Sequence, residues 1–140
     1  MIANQKFARL INNDDSRIKQ KVLTDTASDL ELVVLFKFDK GKYDPLYCVY
    51  RQHFHDDNPA SKHSTIGSGD LALMSTCDQK EAEEAYEKAC EGLVHCANCG
   101  AWVPFDEAER FVPAICVCKK EECIAWGRAQ EKDFFSYPLD

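Results

Sequence analysis

A chain of 140 residues with 45% hydrophobic and 11% aromatic residues can build a packed core, which excludes wholesale disorder. Its formal net charge of −7 is spread along the chain. Residues 1–92 carry 12 Lys/Arg against 16 Asp/Glu, and residues 93–140 carry 5 against 8. Unfocused negative charge repels a phosphate backbone, so sequence-independent nucleic-acid binding is disfavoured.

The N-terminal residues Met1–Lys6 contain no apolar run of signal-peptide type, and the densest run, Leu32-Val33-Val34-Leu35-Phe36, is too short to cross a bilayer. The expectation is a cytoplasmic protein without a membrane anchor, in which eight cysteines point to metal rather than disulfides.

Residues 3–23 read as one or two short helices. Phe7, Leu10 and Ile11, then Ile18, Val22 and Leu23, fall at helical spacing, with Asn12–Ser16 as a break. Residues 31–38 have the branched and aromatic content of a largely buried strand. Asp39-Lys40-Gly41-Lys42 supplies a turn, and Leu46–Phe54 a return strand. The two-glycine stretch Ser64–Gly69 lacks phosphate-loop spacing and reads as a flexible loop, followed by a third strand over Asp70–Ser75. Thr76-x-x-Gln79 and Asp78-x-x-Glu81 are overlapping capping-box candidates. They precede a helix with Ala82, Ala85, Tyr86, Ala89 and Leu93 on one stripe, ended by Gly92.

The C-terminal third carries the clearest chemistry. Cys96-Ala-Asn-Cys99-Gly100 has the shape of a metal knuckle: a tight turn presents two thiolates to one ion, and the glycine relieves the turn. Cys116, Cys118 and Cys123 offer three thiols for the two remaining tetrahedral positions. Cys118 and Cys123, which would bracket a strand-to-helix turn, are favoured; Cys116 is the reserve and His95 a distant fifth candidate. Between the pairs, Trp102–Pro104 and Phe111–Ile115 read as the two arms of a hairpin, and the residues after Cys118 as a helix. Four protein ligands leave no open coordination position, so one structural Zn2+ held by Cys96, Cys99, Cys118 and Cys123 is expected. Cys48, Cys77 and Cys90 read as small core residues.

The segment Cys96-x-x-Cys99-Gly100-x-x-Val103-Pro104, then Val112-Pro113-x-Ile115-Cys116-x-Cys118, resembles the four-cysteine finger of the DksA/TraR family. That resemblance implies a treble-clef finger and a regulator of transcription that binds RNA polymerase. It covers only the C-terminal third. The second C-x-x-C of the family is absent here, and strands plus a short helix, not a long coiled coil, precede the finger.

A second polar concentration is His53-Phe-His55-Asp56-Asp57-Asn58, with His63 beyond. Two imidazoles on one strand face beside carboxylates could hold a catalytic metal and activate water, which would suit a nuclease. No general acid, oxyanion donor or phosphate cradle stands near them, and no catalytic residue is assigned.

The whole reads as an α+β protein. A small antiparallel sheet with packed helices, residues 1–93, is followed by a treble-clef-like zinc finger, residues 94–140, packed on it. The expected function is a non-enzymatic, zinc-stabilised adaptor or regulator with a protein partner, and the tail aromatics Phe134, Phe135 and Tyr137 are candidate contacts. The alternatives are a nucleic-acid binder using Arg110, Lys119, Lys120 and Arg128, and a metal-dependent nuclease using the His53/His55 loop.

Overall fold

A computed structural model describes residues 2–39, 45–111 and 115–136. The expected turn at 39–42 falls almost wholly outside the described residues, as does Tyr137; of Phe135 only the helical backbone is described. The fold is α+β, and the chain divides into two compact units, Met1–Cys90 and Glu91–Asp140.

The first unit opens with α1, Gln5–Asn12, capped by Asn4, whose side-chain oxygen accepts from the Lys6 N–H at 2.9 Å. Strands β1 (Arg17–Asp25), β2 (Asp29–Phe38), β3 (Leu46–Asp56) and β4 (Ile66–Thr76) then form an antiparallel meander in the order β1-β2-β3-β4. Helix α2 spans Gln79–Cys90. Asp78 caps it, accepting from the N–H groups of Lys80 and Glu81 at 3.0 and 3.4 Å, and Thr76 holds the Asp78 N–H at 3.1 Å.

The sheet is covered on both faces. Leu30, Leu32, Val34, Phe36, Cys48 and Phe54 form one core with Phe7 and Ile11 of α1. Alternation along β2 sends Val33 and Leu35 to the other face, where Ala82, Ala85 and Ala89 of α2 are buried. The two-residue period of the strands thus splits one apolar run between two helices.

Two readings from the sequence are corrected here. Residues 17–23 are strand, not helix: the apolar positions 18, 22 and 23 suit either state, and pairing with β2 decides between them. The local turn favours this outcome, because the Asp14 carboxylate accepts from the Ser16 N–H at 3.1 Å and reverses the chain before Arg17. The glycine-containing stretch after Ser64 is not a loop throughout. Ile66–Gly69 continue β4, paired residue for residue with Asp56–His53.

The second unit contains β5 (Leu93–His95), β6 (Trp102–Pro104), a 3-10 turn Phe105–Glu107, β7 (Ala108–Phe111), β8 (Ile115–Cys118) and α3 (Glu121–Ser136). The expected pairing of Trp102–Pro104 with Phe111–Ile115 is also corrected. β6 pairs with β5 across the knuckle, and β7 pairs with β8, so there are two ribbons rather than one. Gly92 at φ +89° and Gly100 at φ +80° occupy left-handed backbone that other residues resist, the first after α2 and the second closing the knuckle. Gly127 has a different reason: a Cβ there would lie 2.5 Å from the Phe111 ring, so only glycine lets α3 approach β7.

Candidate metal centre

The second unit is built around sulfur. Its small core consists of Cys96, Val117, Cys118 and Cys123, with Val103, Phe111, Ile115, Ile124 and Trp126 packed around them. Cys96 and Cys99 sit on the turn between β5 and β6. The Gly100 N–H donates to the Cys96 carbonyl at 3.0 Å, and the Cys96 N–H to the Ala101 carbonyl at 2.8 Å. Cys118 ends β8, and Cys123 lies in the first turn of α3, where its own N–H donates to the Lys120 carbonyl at 3.0 Å. A backbone bond from Ala97 N–H to the Cys116 carbonyl, 2.9 Å, ties the knuckle to β8.

These connections bring the Sγ atoms of Cys96, Cys99, Cys118 and Cys123 within 4.8 Å of one another. Cys99 and Cys118 stand 3.7 Å apart, far beyond a disulfide bond of about 2.05 Å. A tetrahedral ion with metal–sulfur bonds of about 2.3 Å needs sulfurs about 3.8 Å apart, which this pair matches. Three of the four are buried and Cys99 is exposed. Among the described residues this is the one group of three or more His, Cys, Asp or Glu with ligand atoms so close. The donor set fits a closed four-thiolate metal site.

The surroundings favour thiolate at Cys96 and oppose it at Cys123. Burial opposes ionisation of Cys96, but N–H donors from Cys99, Cys118 and Asn98 outweigh it and bring its pKa down to about 6. Asn98 donates from its side-chain amide to Cys123 Sγ at 3.4 Å. That bond favours the Cys123 thiolate, but burial and the other three sulfurs overcome it and push the thiol up to about 12. Four sulfurs crowded together cannot all be anionic without a cation between them, which is the electrostatic demand a metal ion meets.

Cys116 is buried but stands outside the quartet, and burial holds its pKa up at about 11. His95 is also outside it, its ring 5.0 Å from that of Trp102. Of the cysteines expected in a core, Cys48 is buried, Cys90 is half-buried and Cys77 is exposed, so the last is corrected to a surface residue.

The histidine cluster is assembled differently. Asp29 Oδ1 accepts from His53 Nε2 at 2.8 Å and from His55 Nδ1 at 2.9 Å, while His55 Nε2 meets Asp57 Oδ1 at 2.9 Å. Both ring nitrogens of His55 are thereby engaged by carboxylates. Bonding to Asp29, with a lesser contribution from Asp57, raises its pKa against the opposing effect of desolvation. Bonds from Ser28, then His55 and His53, hold Asp29 well below the usual carboxylate range. Nothing in the residue pattern pointed to Asp29, which lies 24 residues before His53 and reaches it only through β2–β3 pairing.

Asp56 points to the opposite face and is buried. Lys6 Nζ at 2.5 Å, Ser64 Oγ at 2.5 Å, Asn4 Nδ2 at 2.9 Å and the Asn58 N–H at 3.1 Å surround it. Burial alone would raise its pKa, but these donors lower it overall. Asp56 is thus the polar anchor of α1, not a companion of His53 and His55. His63 is exposed, and its backbone N–H donates to Ser61 Oγ at 3.2 Å.

No family model, curated protein or solved structure matches this chain. The likeness to the DksA/TraR finger therefore rests on the sequence motif alone, and the four clustered cysteines show only a group fit to hold a metal. No helix among the described residues is long and apolar enough to cross a membrane.

Proposed function

We propose that the chain is a zinc-stabilised, non-enzymatic adaptor whose task is to bind a protein partner. The observation that carries this reading is the closed thiolate quartet. Four soft ligands suit Zn2+, and with all four positions filled by protein the ion holds structure and has no site for substrate or water. A metal spent in this way makes the second unit a scaffold. The net charge of −7 favours basic protein surfaces over nucleic acid as partners. Transcription machinery is one concrete partner class, suggested by the finger's likeness to polymerase-bound regulators.

The test has two parts. Elemental analysis of the purified protein is expected to find one zinc per chain, retained in Cys116→Ala and lost in Cys99→Ser. Affinity capture from host cells is expected to recover a protein partner in stoichiometric yield after nuclease treatment. Loss of the captured material on nuclease treatment would transfer the reading to nucleic-acid binding. Metal-stimulated cleavage of an oligonucleotide, abolished by His53→Ala, would transfer it to the nuclease.

A further inference from the structure

A β-sheet edge left bare is an invitation to another strand, and proteins usually guard both edges. This sheet guards one more heavily than the other, where the register slips only once, past Ala72. Along β1 the register slips twice, between Arg17 and Lys19 and between Val22 and Thr24, and Arg17, Lys19 and Lys21 line the strand. Bulges and lysines are the ordinary means of discouraging edge pairing. At the other edge, β4 runs from Ile66 to Ala72 in unbroken one-to-one register with β3. It contains no lysine, arginine or proline there, and among the described residues its backbone forms no hydrogen bond beyond those to β3.

Two glycines sharpen the contrast. Gly67 lies opposite His55 and Gly69 opposite His53, so on that face the edge strand presents bare backbone beside the imidazoles. A Cβ at Gly69 would meet nothing within 4 Å, and one at Gly67 only the His55 carbonyl at 3.9 Å. Neither glycine has a positive φ, so backbone conformation does not demand them. Glycine inside a regular strand marks a place where another chain can approach closely. An acid stands near the edge on each face: exposed Asp57, which meets His55, on the glycine side, and exposed Asp70 of β4 itself on the other.

We propose that the outer edge of β4, Ile66–Ala72, is a strand-addition site for an extended, basic segment of a partner protein. The backbone of the added strand would hydrogen-bond to the free groups of β4. Its lysine or arginine side chains opposite Gly67 would lie across the bare backbone toward Asp57, and those on the other face would meet Asp70. The proposal rests on the adaptor reading only for the existence of a protein partner, since the edge lies in the unit without the metal centre.

The probes are two labelled peptides, one alternating lysine with valine and its twin alternating glutamate with valine. Anisotropy is expected to show the basic peptide binding at least about tenfold more tightly, the equivalent of one charged contact. Amide exchange should slow at residues 66–72 and not at 17–25. Gly69→Lys, which places a guard in open space, and Asp70→Lys should each weaken binding about tenfold with melting unchanged. A fold-damaging effect of either variant leaves the other to decide.

Equal binding of the two peptides, no binding of either, or a footprint on β1 would each overturn the proposal. So would sedimentation revealing β4-to-β4 dimers that exclude the peptide. A captured host partner that protects only residues 91–140 would overturn it while leaving the adaptor reading intact. Peptide binding at β4 without any host protein partner would do the reverse.

Discussion

The two units of this chain bury different things. Met1–Cys90 packs aliphatic and aromatic side chains on both faces of a four-stranded sheet, whereas Glu91–Asp140 surrounds itself mostly with cysteine. Fifty residues cannot bury enough apolar surface to offset their conformational entropy comfortably, so small units of this kind rely on a staple. In the first unit the hydrophobic effect is sufficient, and polar groups such as Asp56 refine it. In the second, the clustered cysteines are fit to hold a metal, whose affinity would then be folding free energy.

The sharpest way to break this contrast is to remove the metal. Chelation or Cys99→Ser should withdraw on the order of 10–16 kcal/mol of binding energy from the second unit. Amide exchange is then expected to collapse across residues 91–136 while β2 and β3 stay protected. Loss of protection in both units together would show that the first depends on the metal as well.

Leu32→Ala makes the reciprocal cut. It empties a fully buried site in the first core and should cost about 2–5 kcal/mol, with metal content unchanged. Gly127→Ala probes the second unit without touching a sulfur. Its new methyl collides with the Phe111 ring, and overpacking of this type costs about 1–3 kcal/mol. Pairing it with Phe111→Leu should restore part of the loss in a thermal melt.

Acid and base should separate the units more gently. His55 is raised above its ordinary 6.5, so its contribution is complete below about pH 6.5 and fades as pH rises through the folded value. Asp29 and Asp56 are lowered from 3.8, so theirs is complete above about pH 3.8 and fades as pH falls through the folded values. The first unit should therefore be most stable between about pH 4 and 6.5, and Asp29→Asn should flatten both limbs. The metal-loaded second unit should instead lose its ion toward acid, as protons compete for thiolate. Cys116→Ala is the smallest change: it should retain the metal and shift stability by about 1 kcal/mol.

Much of this organisation was legible in the residues. The apolar run at 31–38, the alanine stripe after Asp78 and the C-x-x-C-G knuckle each carry a local physical signal. Periodicity, capping and turn strain act within a few residues, so sequence alone reports them. The closing pair narrows only to three thiols, with Cys118 and Cys123 favoured; the fold brings their sulfurs to the knuckle and leaves Cys116 outside.

What lay beyond the sequence depends on partners distant along the chain. Residues 17–25 carry a pattern that either helix or strand could use, and β2 settles it by offering an unpaired edge. Gly67 and Gly69 resemble loop residues until β3 draws them into register. His53 and His55 acquire their meaning from Asp29, and Asp56 acquires its own from Lys6 and Asn4. Local free energies select the elements, but cross-strand pairing and burial act between residues that only the fold makes neighbours. The sequence by itself therefore marked the knuckle cysteines and the main secondary elements, and narrowed the closing pair to three thiols. The tertiary structure alone decided which sheet edge is guarded, which is open, and which charges stand beside it.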